Sequence, residues 1–120
     1  MRPTIDCTQF GSITIAAEVL DHDIVIRLDG GVKKRKKKLS SALYGTSHII
    51  SAAEAEHIYD KGAERLIIGA GQNGMVKLSE EAAQFFAREK CTVELLTTPE
   101  AAEAWNQASG AVIAMFHVTC

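Results

Sequence analysis

The chain has 120 residues, of which 47% are hydrophobic and 23% are charged, and its formal net charge is −2. This length and composition fit one globular domain with a substantial core, and the charge excludes a globally basic nucleic-acid-binding protein. Three cysteines lie far apart in the sequence, so we expect reduced thiols rather than a disulfide framework. The N-terminal residues lack the apolar segment of a signal peptide, and no apolar stretch is long enough to span a membrane, so we expect a cytoplasmic protein without membrane contact.

The first half of the chain predicts β-strands followed by a helix. Residues 10–16 (FGSITIA) and 23–28 (DIVIRL) alternate in the way typical of strands. The sequence at 29–31 (DGG) predicts a tight hairpin turn, and the returning strand is expected to begin at Val32 and to carry residues 33–38. A helix is predicted over 51–62, because Ser51 and Glu54 have capping-box spacing and Gly62 suits a helix end.

The second half alternates short apolar strands with helices. Strands are predicted near 66–69, 92–97 and 111–118, with helices from Ser79 to about Lys90 and over 99–108. Because strand–helix–strand crossovers are parallel in nearly all cases, the three strands should share one sheet. Phe85 or Phe86, on the first of these helices, should be largely buried. The pattern predicts one α/β domain over residues 1–120, with a mixed sheet and helices packed against it.

A Gly-x-Gly-x-x-Gly motif, formed by Gly69, Gly71 and Gly74, follows the first apolar strand of this half. In a dinucleotide-binding turn the helix begins within the motif, and an acidic residue ends the next strand. Here the helix cap Ser79 comes five residues after Gly74, and the next strand ends in Thr97-Thr98-Pro99. We therefore expect neither a dinucleotide nor another cofactor. Two alternatives stay open: a tight loop that requires glycine, which is favoured, or loop amides that bind an anion.

Polar loop residues suggest where a ligand site would lie if the protein has one. Ligands of open α/β sheets usually bind beyond the carboxyl ends of the strands. The hypothesis is a site formed by Ser47, His48, Gly69, Gly71 and Gln72. The favoured alternative is that His48 only fixes the loop before the next helix, since no acidic partner is near in sequence, and no catalytic residue is predicted.

Two further groups of residues have alternative interpretations. His117 and Cys120 have a spacing compatible with two metal ligands, but a zinc site needs three or four, so no metal site is predicted. The basic run could be a solvated strand edge that prevents strand pairing, or a surface for an acidic or phosphate-rich partner. It lacks the interleaved aromatic residues typical of single-strand nucleic-acid binding, so nucleic acid is not the expected partner. The candidate surface comprises Lys33, Lys34, Arg35, Lys36, Lys37 and Lys38.

Several segments, in chain order, resemble the adipogenesis-associated Mth domain-containing family, which includes a mitochondrial complex I assembly factor. They are FGSITI, HDIVI, YGTSH, LIIGAGQNGMVKLS, TPEAAEAWN and FHVTC, and together they cover nearly the whole chain. The sequence departs from the family pattern at Ala17, Leu20, Trp105 and Ala111. The resemblance implies a three-layer α/β fold with a central mixed sheet flanked by helices, and no established enzymatic activity.

The resemblance and the lack of a complete catalytic set favour a non-enzymatic binding or assembly module with a protein partner. The alternative is a small-molecule or anion-binding protein, enzymes included, with its site at the Gly69–Gly74 loop near His48. The sequence does not predict an oligomeric state.

Overall fold

A computed structural model of the protein describes residues 2–120. Four helices and ten strands occur in this part of the chain. In chain order they are β1 (Ile5–Gln9), β2 (Ser12–Ile15), β3 (Glu18–Leu20), β4 (Ile24–Ile26), β5 (Val32–Lys34), α1 (Lys38–Tyr44), β6 (Ile49–Ile50), α2 (Ala52–Ile58), β7 (Arg65–Ala70), β8 (Lys77–Leu78), α3 (Glu80–Arg88), β9 (Thr92–Leu96), α4 (Thr98–Gln107) and β10 (Val112–His117).

A five-stranded mixed sheet with the order β5-β4-β10-β7-β9 forms the centre of the fold. β10, β7 and β9 are parallel, whereas β4 is antiparallel to β10 and β5 is antiparallel to β4. In this register Gly69 lies between Phe116 of β10 and Leu96 of β9. The predicted mixed sheet and its three parallel strands are confirmed, and their carboxyl ends lie side by side.

The two faces of this sheet build two separate apolar cores, because successive side chains of a buried strand point in opposite directions. Leu66 and Ile68 belong to the core that contains Phe86 of α3. Ile67, between them, belongs to the core that contains Trp105 of α4 together with residues of β1 and β2. The fold therefore has three layers, with α2 and α3 on one face and with α4 and the β1-β2-β3 sheet on the other. As predicted, Phe86 is fully buried, with 1% of its surface exposed.

The β1-β2-β3 sheet departs from the sequence prediction, which recognised only the strand that contains Ser12–Ile15. β2 and β3 are joined through Ala16 and Ala17, which have φ angles of 50° and 68°. Positive φ at both central residues is the requirement of a tight hairpin turn, but such turns ordinarily use asparagine or glycine. The Ala17 amide donates to Asp6 Oδ2 at 2.7 Å, which helps to hold this unusual turn.

The basic run also departs from the prediction, because it does not continue as a strand. β5 ends at Lys34, and α1 begins at Lys38. The helix predicted over 51–62 begins as expected after Ser51, whose side chain accepts from Glu54 N, but it ends at Ile58. None of the helices in residues 2–120 is both long and apolar enough to cross a lipid bilayer.

Arg35 must be removed from the candidate surface, because the structure buries its side chain, with 3% of the residue exposed. Its guanidinium group pairs with Asp23 Oδ2 at 2.9 Å and with Glu54 Oε2 at 2.5 Å. It also donates to the carbonyl oxygen of Ser47 at 2.7 Å. A planar guanidinium can satisfy several acceptors at once, whereas lysine offers a single point charge. This arginine therefore joins β5, β4, α2 and the loop before β6.

Removing this guanidinium should destabilise the protein strongly, because two buried carboxylates would lose their cation. We expect Arg35→Ala to lower the free energy of unfolding by about 3–5 kcal/mol. Lys34→Ala is the matched control on an exposed neighbour and should change it by less than about 0.5 kcal/mol. Urea denaturation measures both values, and equal losses in the two variants would contradict the assignment of Arg35.

Candidate functional site

The carboxyl ends of β7 and β10 meet at one edge of the central sheet, where Ala70 pairs with His117. His48 comes from another part of the chain and lies at the same edge. It directly precedes β6, and the parallel pairing of β6 with β8 holds it there. The Lys77 amide donates to the His48 carbonyl oxygen at 2.7 Å. The parallel pair thus fixes the loop of His48 against the segment that follows the glycine motif.

Three side chains with nitrogen or sulfur donors converge at this edge. The rings of His48 and His117 have centroids 5.4 Å apart and lie edge to face. His48 Nε2 is 3.9 Å from Cys120 Sγ, and the candidate ligand atoms of all three residues lie within 4.8 Å of one another. The sequence spacing indicates only His117 and Cys120 as possible metal ligands, and the fold brings His48 to them as a third. We call these residues the His–His–Cys cluster.

The His117 ring is oriented by a buried carboxylate. Asp23 Oδ2 lies 2.7 Å from His117 Nδ1, while the Val118 amide donates to Asp23 Oδ1 at 2.9 Å. Burial by itself would raise the pKa of Asp23, but the hydrogen bonds from His117 and Val118 and the charge of His117, together with a bond from Arg35, lower it to about 2. Because an ionised carboxylate only accepts, His117 Nδ1 carries the proton. When the ring is neutral, His117 Nε2 then keeps its lone pair, and the hydroxyl of Thr119 lies 3.0 Å away, where it can donate to that nitrogen.

The glycine loop holds the segment 117–120 rather than offering its amides to a ligand. Every amide from residue 71 to residue 76 donates to an acceptor of the protein. The pairs are Gly71 N with Thr98 Oγ1, Gln72 N with Thr119 O, Asn73 N with Cys120 O, Gly74 N with Gly71 O, Met75 N with Cys120 O, and Val76 N with Ala70 O. This arrangement agrees with the tight-loop interpretation, and it leaves an anion none of the donors that a nest requires.

The first two glycines of the motif permit close packing at this edge. A Cβ on Gly71, which has a φ of +101°, would overlap the carbonyl group of Cys120 and lie 3.0 Å from His117 Cδ2. A Cβ on Gly69 would lie 2.6 Å from Phe116 Cδ1. The Ser79 cap of α3 is confirmed and accepts from Ala82 N, and the short strand β8 separates it from the loop. This geometry differs from a dinucleotide-binding turn, in which the helix begins at the glycines.

The residues of the predicted ligand site are only partly brought together. His48, Gly71 and Gln72 all lie against the segment 117–120. The side-chain Nε2 atom of Gln72 is buried and finds no partner within the described residues. Gly69 lies inside the sheet, and the Ser47 carbonyl faces the buried Arg35. Whether any of them binds a ligand stays a prediction.

The remaining members of the basic run form an exposed surface. We define the basic surface by five exposed residues, Lys33, Lys34, Lys36, Lys37 and Lys38. A groove lined by residues 34–39 runs through it. Within residues 2–120, β5 pairs with β4, and no other strand pairs with its outer edge. Leu39 and Leu43 of the adjoining α1 are 37% and 68% exposed.

Over residues 5–117 the sequence matches a family described as a protein of unknown function (DUF498/DUF598). The chain belongs to this family. It is similar to the conserved hypothetical protein PH1505 from Pyrococcus horikoshii OT3, with 29% identity, a TM-score of 0.89, and coverage of 98% of this chain and 99% of that chain. For the structure named MT938 the identity is 34% and the TM-score 0.82, with the same coverage.

The fold is also that of a Mth938-like domain from Bordetella pertussis, with 18% identity, a TM-score of 0.64, and coverage of 97% of this chain and 85% of that chain. At this identity the likeness concerns the fold alone. No curated protein matches the sequence. These comparisons establish a Mth938-like α/β fold in a family whose function is uncharacterised.

A side chain at Gly71 should disrupt the packing that positions the His–His–Cys cluster. Gly110 is a matched control, since its φ of +88° imposes a similar backbone strain while its Cβ would meet no atom within 4 Å. We expect Gly71→Ala to lose about 1–3 kcal/mol more stability than Gly110→Ala, which is the usual range for overpacking. Chemical denaturation tests this difference, and equal losses would show that strain alone requires the glycine.

The three cysteines should differ in reactivity. Burial raises the pKa of the Cys91 thiol to about 11, so at pH 8 only about one molecule in a thousand carries its thiolate. Cys7 is exposed and Cys120 is half-buried. In metal-free buffer we expect two thiols of the native protein to react with a disulfide reagent and the third to react only after denaturation. Cys7→Ser should leave one accessible thiol, and three equally fast thiols would contradict the burial of Cys91.

Proposed function

We propose that this protein is a non-catalytic binding or assembly module of the cytoplasm that docks an acidic segment of a protein partner on the basic surface. The observation that carries the proposal is the concentration of charge. The five exposed lysines contribute +5 to a chain whose formal charge is −2, so the rest of the molecule carries −7. An acidic partner is therefore attracted to the basic surface, because its carboxylates are opposite in charge to the lysines.

The apolar neighbours of the lysines favour a protein segment as the occupant. Leu39 and Leu43 are four residues apart on α1, so they lie on one side of the helix, and both are exposed. Apolar side chains at the centre of an interface contribute affinity, and a charged rim contributes orientation and association rate. An acidic amphipathic segment can contact both the lysines and the leucines, because its carboxylates can pair with the lysines while its apolar side chains pack on the leucines.

The basic surface is held rigid from beneath. Arg35 sits in the middle of the run and is anchored by Glu54 and Asp23, while Ser40 Oγ donates to Glu54 from the first turns of α1. These contacts fix β5 and α1 even though five neighbouring lysines repel one another. A surface that is ordered before binding loses less conformational entropy when the partner docks.

The resemblance to the adipogenesis-associated Mth domain-containing family supports an assembly role, since that family includes an assembly factor and implies no established enzymatic activity. The small-anion alternative at the Gly69–Gly74 loop has less support, because the amides of residues 71–76 are already paired within the protein.

Fluorescence polarisation with a labelled peptide of glutamate and leucine, arranged as an acidic amphipathic helix, tests the proposal. Lys34→Glu with Lys37→Glu reverses two charges of the basic surface. We expect at least about tenfold weaker binding, which corresponds to about 1.4 kcal/mol. The matched control, Lys61→Glu with Arg88→Glu, changes the net charge by the same amount at other exposed positions and should change the affinity less than about twofold.

Two outcomes would overturn the proposal. Equal weakening in the two double variants would mean that the peptide responds only to net charge. Tighter retention of duplex DNA or of anionic lipid vesicles than of the peptide, with a steep salt dependence, would assign the surface to another class of partner.

A further inference from the structure

The His–His–Cys cluster lies outside the basic surface and offers two imidazoles and one thiol to a common point. Its candidate donor atoms all lie within 4.8 Å of one another. We propose that His48, His117 and Cys120 bind one transition-metal ion, and that Zn²⁺ is the ion whose ligand preferences they fit best. This inference goes beyond the docking of a protein partner and does not depend on it.

The donor atoms lie somewhat farther apart than in an occupied zinc site, at most 4.8 Å from one another. Zinc binds histidine nitrogen at about 2.0–2.1 Å and cysteine sulfur at about 2.3 Å in tetrahedral geometry, which places neighbouring ligand atoms about 3.3–3.6 Å apart. His48 Nε2 and Cys120 Sγ are separated by 3.9 Å. Small side-chain rotations are enough to close the difference, because His48 and Cys120 are only half-buried and lie outside the central sheet.

His117 has the hydrogen-bonding arrangement of a metal ligand. Metal-binding histidines almost always donate their other ring N–H to a carboxylate or carbonyl, which fixes the tautomer and the ring orientation. Here Nδ1 is hydrogen-bonded to the buried Asp23 carboxylate at 2.7 Å, and in the neutral ring this arrangement leaves on Nε2 the lone pair that a metal would take. The hydroxyl of Thr119 lies 3.0 Å from Nε2, and an ion would displace it.

Cys120 is positioned at the cluster by its own backbone. Its carbonyl oxygen accepts from the amides of Asn73 and Met75 at 3.3 and 3.2 Å. The glycine loop thus holds the residue whose thiol faces His48. A site in which the ligands are placed by rigid elements and backbone hydrogen bonds needs little reorganisation when the ion binds.

The donor set selects the class of ion. Imidazole and thiolate ligands suit zinc, copper and related transition metals, whereas Mg²⁺ and Ca²⁺ prefer oxygen. Three protein ligands leave one position of a tetrahedral ion for water or for a group from a partner. The sequence pattern does not reveal this site, because His48 is separated from the other two ligands by the whole second half of the domain.

Titration of chelator-treated protein with Zn²⁺, in competition with a chromophoric chelator, tests the site. We expect one ion per chain. Substitution with Co²⁺ should produce a thiolate-to-cobalt charge-transfer band and visible absorption of the intensity typical of tetrahedral coordination. Loss of an outer-sphere partner ordinarily lowers metal affinity about 10–100-fold, so loss of a direct ligand in Cys120→Ser or His48→Ala should lower it at least about 100-fold.

The other cysteines and histidines provide matched controls. Cys7→Ser and His22→Ala should bind Zn²⁺ as the unsubstituted chain does. Zn²⁺ should raise the melting temperature of these controls and of the unsubstituted protein, but not that of His48→Ala. If Cys120→Ser fails to fold, His48→Ala and the cobalt spectrum still decide the question.

Three results would overturn the inference: no stoichiometric Zn²⁺ binding, a cobalt spectrum without the thiolate band, or an affinity that is unchanged in His48→Ala. Each of these results leaves the peptide-binding experiment on the basic surface unaffected, so the two proposals can fail separately.

Discussion

Asp23, just before β4, receives hydrogen bonds from both neighbours of that strand in the sheet. Its Oδ2 atom accepts from Arg35, which follows β5, and from His117 of β10, while its Oδ1 atom accepts from the Val118 amide. Burying a carboxylate costs free energy unless its lone pairs accept hydrogen bonds. These contacts therefore stabilise the charge of Asp23 and also hold the donor groups in position. One carboxylate thereby orders both the anchor of the basic surface and one ring of the His–His–Cys cluster, although the two proposed functions require no coupling.

The sequence predicts those elements that carry strong local signals. The apolar strands β7, β9 and β10 and the Ser79-capped helix α3 have such signals, and the structure confirms them. The β2–β3 turn was missed because alanine occupies both positions that have positive φ, where glycine or asparagine would have indicated a turn. α1 was missed because the lysine run that leads into it appears to continue the preceding strand. The single arginine among the lysines was the available signal for a buried ion pair, since a bidentate site selects arginine.

The candidate cluster could not be predicted from spacing, because His48 reaches it only through the parallel pairing of β6 with β8. Two-residue strands have no hydrophobic period that a sequence pattern can register. His48 lies near Cys120 because the pairing of β6 with β8 places the loop of His48 beside the glycine motif, which is distant in sequence. The sequence placed His48 and the motif at the same edge by a general rule about α/β sheets, but it could not identify the side chains that meet there.

The glycine motif resembles a phosphate-binding loop in sequence, but in the structure its backbone contacts another segment of the chain. In a dinucleotide-binding turn, missing Cβ atoms let phosphate oxygens approach the backbone, and free amides donate hydrogen bonds to them. In this protein the Cβ atoms are likewise missing, but the amides are not free, because they donate to acceptors that include the carbonyl oxygens of Thr119 and Cys120. The space left by Gly71 is filled by the Cys120 backbone. The motif therefore indicates that oxygen atoms lie close to the backbone of the loop. In this protein those oxygen atoms belong to the chain's own segment 117–120.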